Sequence, residues 1–480
     1  MKLPKTFPLA NSIPELREQP KPFDDTALYE PTSVLDPHLT SSPPTAAGIC
    51  AAGGASTPNL HWDPNTFVVP ASSATTVDDF LDPLSWLLAD SPCLDIDESC
   101  TFFDAPTSPV VPPPVVAFDA SHLDLLLRAA LASETGDLNS AYSILARLNA
   151  LQPYSSGGTL QRATFHFKDA LLSLLPIPNR PVAEPPLSPL ELVRRIAAQK
   201  SLSDLSPIPQ FTAFTANQTL LESLDGASSL HLIDFDLGLG GQWSSFTQEV
   251  ATRSRAARNA TPSIRITAVA AEETAEIVLA AENLRDFARG IGVPLTVEFV
   301  YISGIGGLRT ASGDAVAVVL YPAVFRAIGM STMSFVRRVA AKVVVLVDTE
   351  CFGGGEWSFR QKIADGLEYF VAAMEAMEAG AATVGAVEET VRRIEWSVLR
   401  PRIFSTVSAA TNSLSATNCR EVMAAAGMVV ADLSEFTESQ AEWLLRRAPA
   451  DGFQLARREG AMVLSWRGKE LAATSAWRWP

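Results

Sequence analysis

Asp234, Asp236, Gly238, Gly240 and Gly241 are the residues of this chain best spaced for chemistry. They follow an apolar run, Leu230, Leu232 and Ile233, that also carries His231. The helix-like segment Gln242 to Ala251 comes next. That order reads as a buried parallel strand, a tight turn and a helix N-terminus. Such a turn exposes backbone N–H groups that hold an anion or a nucleoside cofactor. In Asp236-x-Gly238-x-Gly240-Gly241 the first glycine allows the turn. The second lets a cofactor approach the backbone, and the third permits close helix packing. Glu272 or Glu273, after the next strand, stands where ribose hydroxyls would be held.

The turn is similar to that of S-adenosylmethionine-dependent methyltransferases, but its third glycine comes one residue early and Gln242 takes the expected place. The fourth strand ends Leu320-Tyr321-Pro322-Ala323, without the Asn/Asp-Pro-Pro-aromatic signature of amino-group methylation. No histidine follows His231, which reads as a core residue inside its strand, and His166 reads as helix packing. The chain has no Gly-x-Ser-x-Gly elbow, HExxH helix or GxxxxGK[ST] loop. Cys50, Cys93, Cys100, Cys351 and Cys419 form no CxxC pair and no Cys/His spacing, so they read as reduced thiols and no metal is expected. No cofactor is expected either. Gly353-Gly354-Gly355 reads as a connection.

Among basic residues, Arg253, Arg255 and Arg258 cluster at a helix end and are the candidates for phosphate contact. Arg392-Arg393, Arg446-Arg447 and Arg457-Arg458 are weaker, because adjacent helical residues do not share a face. Arg393 is expected to pair with Glu389, one turn earlier.

The elements that must position these residues divide the chain near residue 117. Residues 1–117 hold 19 of 34 prolines and carry 4 Lys+Arg against 15 Asp+Glu, so they hold −11 of the chain's formal −16. That composition cannot easily bury a core, and disorder is expected there. Within it, Val77 to Leu88 mixes Asp78, Asp79 and Asp82 with Phe80, Leu81, Leu84 and Trp86. This suits an activation or docking segment, or equally a short element packed on the domain. The first twenty residues hold four prolines and no apolar stretch, so no signal peptide is expected. No apolar run reaches the roughly 18 residues of a membrane span. The net charge opposes broad adhesion to DNA but permits a local basic patch.

Residues 118–225 read as a helical cap. Its stripes are Leu123, Leu126, Leu127, Ala130 and Leu131, then Leu138, Ala141, Tyr142, Leu145 and Leu148, then Phe167, Ala170, Leu171, Leu174 and Leu175. Residues 226–480 read as strand–helix alternation. Strands are expected at 230–235, 264–269, 295–300, 315–321 and 343–348, and helices at 242–252, 273–289, 331–340, 358–378 and 385–398. Helices at 419–426 and 438–447 and a hairpin at 453–457 and 462–466 complete it. The expected fold is α/β: a helical cap on a doubly wound, Rossmann-like, mostly parallel sheet with an antiparallel C-terminal edge.

Several motifs carry a further resemblance. Leu230-His231-Leu232-Ile233-Asp234 resembles the VHIID motif of GRAS proteins, plant transcription regulators. Ser475-Ala476-Trp477, with Leu464-Ser465-Trp466 before it, resembles the family's SAW region. Phe359, Tyr369 and Arg393-Ile394-Glu395 fall where its PFYRE region belongs, with Ser358 in the proline position. Cys419 stands where the family's W-x7-G element has tryptophan. Glu30-Pro-Thr-Ser-Val-Leu-Asp36 and Phe436-Thr-Glu-Ser-Gln-Ala-Glu442 resemble the HAIRY MERISTEM, scarecrow-like branch. The resemblance covers about residues 120–480 and implies a nuclear, non-catalytic regulator of transcription. It implies a homodimer, partners among homeodomain proteins of the WUSCHEL type, and DNA contact. The rival expectation is an active methyltransferase.

Overall fold

The computed structural model describes residues 120–176, 188–350, 357–411 and 418–480. Residues 1–117, with the run Val77–Leu88, and the glycines at 353–355 lie outside them. Five helices precede the first strand: α1 (Ala120–Glu134), α2 (Leu138–Leu151), α3 (Thr159–Leu174), α4 (Pro189–Leu205) and α5 (Ile208–Ser223). The apolar stripes drive them. Leu126, Leu145, Leu148 and Phe167 are fully buried, whereas Leu131, expected on the same stripe as Leu126, is 42% exposed. Gly136 takes φ +77 behind α1, and the Asp137 carboxylate accepts from the Ser140 N–H to start α2. Ser188 and Glu191 form a capping box at the start of α4, with Pro189 in the first turn.

The alternating region runs β1 (Ser229–Asp234), α6 (Gly241–Ala257), β2 (Ser263–Ala270), α7 (Ala275–Ile291), β3 (Leu295–Tyr301), β4 (Ala315–Leu320), α8 (Pro322–Ile328), α9 (Ser331–Arg338) and β5 (Val343–Asp348). The five strands pair in parallel in the order β3-β2-β1-β4-β5, so the chain reverses direction across the sheet between β1 and β4. In such sheets ligands bind at the carboxyl ends beside that reversal.

Three helices follow: α10 (Phe359–Val384), α11 (Glu388–Ile394) and α12 (Arg400–Ala410). The expected helix over 385–398 does not stop. It passes through a π turn at Glu395–Leu399 and continues as α12. Pro401 supplies the reason, since it lacks an N–H and its ring crowds the preceding turn, which widens rather than breaks. The chain ends with α13 (Cys419–Ala425), β6 (Val429–Ala431), α14 (Glu435–Arg446), β7 (Phe453–Arg458), β8 (Ala461–Trp466) and β9 (Lys469–Arg478).

The expected hairpin is β7–β8, and the antiparallel edge is present. Its central member β9 was not anticipated. It pairs with β5 on one side and with β8 and β6 on the other. Its run Ala472-Ala473-Thr474-Ser475-Ala476 has no strong alternation, because both faces are covered.

Helices lie on both sides of the sheet. One layer buries Leu230, Leu232 and Val345 with Phe211, Trp243, Phe246 and Leu284. The other buries Ile233, Val318, Val344 and Trp477 with Phe325, Phe335 and Met423. A third core joins α1–α4 to α10–α12 and reaches Trp466 and Leu471 of the antiparallel edge. The helical cap is therefore built from two distant stretches of sequence.

Candidate functional site

The VHIID-like strand is β1, at the centre of the sheet. Leu230 and Leu232 face one layer and Ile233 the other, as a period of two requires. His231 is buried, with Nε2 2.8 Å from the Thr267 hydroxyl. Burial, with Arg265 nearby, lowers its pKa. Asp314 lies 3.9 Å from its Nδ1. This is the core histidine expected from the sequence.

Asp234 ends the strand and is fully buried. Its carboxylate accepts from the Trp243 indole N–H at 2.7 Å and from the Asp236 backbone N–H at 3.1 Å. The Tyr321 hydroxyl, at the end of β4, is a third donor. Burial, and then the charge of Asp236, push its pKa up to about 7 against those three donors. Asp234 thus locks β1 to α6 and β4. Neither Trp243 nor Tyr321 has a role legible from local spacing, and folding sets both around one carboxylate.

The glycine turn is formed. Gly238 and Gly240 take φ +52 and +80, the left-handed region that favours glycine. A Cβ on Gly240 would stand 3.0 Å from the Leu284 side chain, so the packing role falls on Gly240, and Gly241 opens α6. Asp236 is exposed at the mouth of the turn, and surrounding protein raises its pKa against Arg402 and Arg195.

Beside the turn lies a cleft of about 130 Å³, lined by Asp236, Leu237, Gly238, Ala270, Thr274 and Glu276 among others. Ligand pockets run from roughly 300 Å³ upward. Glu272, expected to hold a ribose, is exposed and outside this lining. Glu276, on the first turn of α7, lines the cleft instead, and Arg195 of α4 reaches it at 3.2 Å.

Elsewhere the structure sorts the expected residues. Arg253 is engaged by Glu249 at 2.8 Å and Gln218 at 3.0 Å. Arg255 reaches the Ile291 carbonyl at 3.1 Å. Arg258 is exposed, with no ion pair among the described residues. The expected Arg393–Glu389 pair is replaced by its neighbour, Arg392 with Glu388 at 2.6 Å. Glu395 is buried against Arg162 of α3 at 2.9 Å, a partner 233 positions away. Tyr369 donates to the Leu471 carbonyl at 3.1 Å, tying α10 to β9. Ser475, Ala476 and Trp477 are buried in β9, where the Ser475 hydroxyl accepts from the Trp477 indole at 2.9 Å. Burial, and next the Asp348 charge, push the Cys419 thiol up to about 12; the side chain is partly buried against the Ile233 layer of the sheet. No cluster of metal-ligating residues occurs among the described residues, and no described helix is long and apolar enough to cross a membrane.

A parallel, Rossmann-like sheet with an antiparallel edge and a helical cap defines the class of fold. The GRAS domain family model matches residues 122–478, and the chain belongs to that family, known for plant transcription regulators. It is similar to Scarecrow-like protein 15 of Arabidopsis thaliana, 39% identical over 369 residues and 74% of each chain. Scarecrow-like protein 6 of the same plant is 34% identical over 362 residues, 74% of this chain and 62% of that protein. Among solved structures, SCL7 in Oryza sativa matches with TM-score 0.57 and 24% identity over 75% of this chain and all of that chain, a likeness of fold.

Proposed function

We propose that the chain is a nuclear, non-catalytic regulator of transcription of the HAIRY MERISTEM branch. It works as a homodimer through protein partners, homeodomain proteins among them. The observation that carries the non-catalytic part is the small size of the cleft beside the glycine turn, about 130 Å³, with Arg195 at 3.2 Å from Glu276 on its wall. Titration calorimetry with S-adenosylmethionine should show no binding tighter than millimolar. Micromolar binding abolished by Gly238→Val would establish the methyltransferase reading.

DNA contact in this proposal is electrostatic and local, made by the folded domain through Arg253, Arg255 and Arg258. Only Arg258 lacks a partner there, so reversing all three to Glu should flatten the slope of log affinity against log salt by about 0.9. Three free arginines would give about 2.7. Anisotropy of a labelled duplex across a salt series reads this. An unchanged slope would remove these arginines from the contact.

A further inference from the structure

Three cations with no ion pair among the described residues, Arg337, Arg338 and Lys342, lie where α9 ends and β5 begins. Arg337 and Arg338 close α9, and Lys342 leads into β5 with its N–H on the Val316 carbonyl at 2.8 Å. Val344 of β5 stands opposite Trp477 of β9, which brings Trp479 alongside Lys342, while Arg478 alternates to the other face with Val343. The Arg337 guanidinium lies 5.1 Å from the Trp479 ring, and Arg338 donates to the Ile305 carbonyl at 2.9 Å. All three cations are exposed. The acid at the start of β4, Asp314, is turned inward, accepting from Ser229 at 2.7 Å with Arg265 at 3.7 Å. Arg326 and Arg420, on helices of the same layer, are matched by Glu350 and Glu459. An unanswered basic patch of this kind calls for an anionic partner.

We propose that this patch is the seat of the chain's own acidic–aromatic run, Val77–Leu88. Only the sequence of that run enters the argument. Asp78, Asp79 and Asp82 complement the three cations, and Phe80 and Trp86 offer rings to Trp479. Residues 1–117 carry −11 of the chain's −16, so the best-matched anion is covalently attached. The 31 residues between Leu88 and Ala120 can reach up to about 100 Å. A domain of this length is only about 50 Å across. Occupied in this way, the patch is screened from outside polyanions.

Retention of the full chain on immobilised heparin in a salt gradient tests this. The variant with Asp78→Asn, Asp79→Asn and Asp82→Asn should elute at clearly higher salt than the parent. Adding Arg337→Gln, Arg338→Gln and Lys342→Gln should abolish that shift. A control with Asp24→Asn, Asp25→Asn and Glu30→Gln changes the net charge equally and should shift elution far less. Equal shifts from both tail variants would overturn the proposal, as would a shift that survives loss of the patch. It would also fall if the patch alone governed retention and the tail variants had no effect, which would assign the patch to an external polyanion such as nucleic acid.

Discussion

Replacing Arg162 by alanine should destabilise the folded domain by about 3–5 kcal/mol, the usual effect of stripping one partner from a buried ion pair. The Arg162 guanidinium binds both Glu395 oxygens at 2.9 and 3.1 Å, the Gly157 carbonyl at 2.6 Å and the Glu378 carboxylate. Glu395 is 1% exposed, and burial already raises its pKa, with Arg162 the main opposing influence. Without this arginine clasp, a carboxylate stays buried beside a second one, and α3 keeps only the partly exposed Arg400–Asp169 pair near the π turn among the described residues. Urea unfolding followed by circular dichroism measures the loss. The double variant Arg162→Met, Glu395→Leu should regain most of it, because an apolar pair of similar volume avoids the desolvation penalty. A single variant that unfolds within 1 kcal/mol of the parent would show that the clasp is not what joins the two halves of the cap.

The second large effect is on pH dependence, where two buried groups act in opposite directions. Asp234 has its pKa raised to about 7 from an unfolded value of 3.8. Its contribution to stability is fully present below pH 3.8 and is lost as pH rises through 7. The span of that change is on the order of 4 kcal/mol. His166 is fully buried with neither ring nitrogen hydrogen-bonded, edge-on to Phe165 and Trp396. Burial, with the Arg400, Arg162 and Lys168 charges, lowers its pKa to about 3. Its contribution is present above pH 6.5 and is lost as pH falls toward 3. In the parent the two limbs largely cancel between pH 4 and 7. Asp234→Asn should therefore gain on the parent as pH rises through that range, while His166→Phe should gain as pH falls. Melting temperatures of the three proteins at several pH values decide it. Parallel curves for parent and variants would mean that neither group titrates differently in the folded state.

The alternating part of the fold was legible because each β-branched run, 264–269 or 343–348 for instance, is short and flanked by a helical stripe. Local pattern suffices where a parallel strand is buried on both faces and its helix amphipathic. The VHIID-like strand and its glycine turn were readable for the same reason, since each glycine answers a backbone demand a few residues away. Strand β9 was not readable, since small residues covered on both sides leave no alternation to detect. The clasp of the cap was equally hidden. Arg162 and Glu395 are 233 positions apart, and neither neighbourhood in sequence announces a buried charge.

The fate of the cofactor cleft shows the division most sharply. Local spacing suffices to place a glycine turn behind β1 with acids nearby. Long-range packing sets Trp243 and Tyr321 on Asp234 and brings Arg195, from the cap, to Glu276. Hydrogen bonds and ion pairs are satisfied by whatever atom the fold brings within about 3 Å, and sequence spacing does not carry that distance.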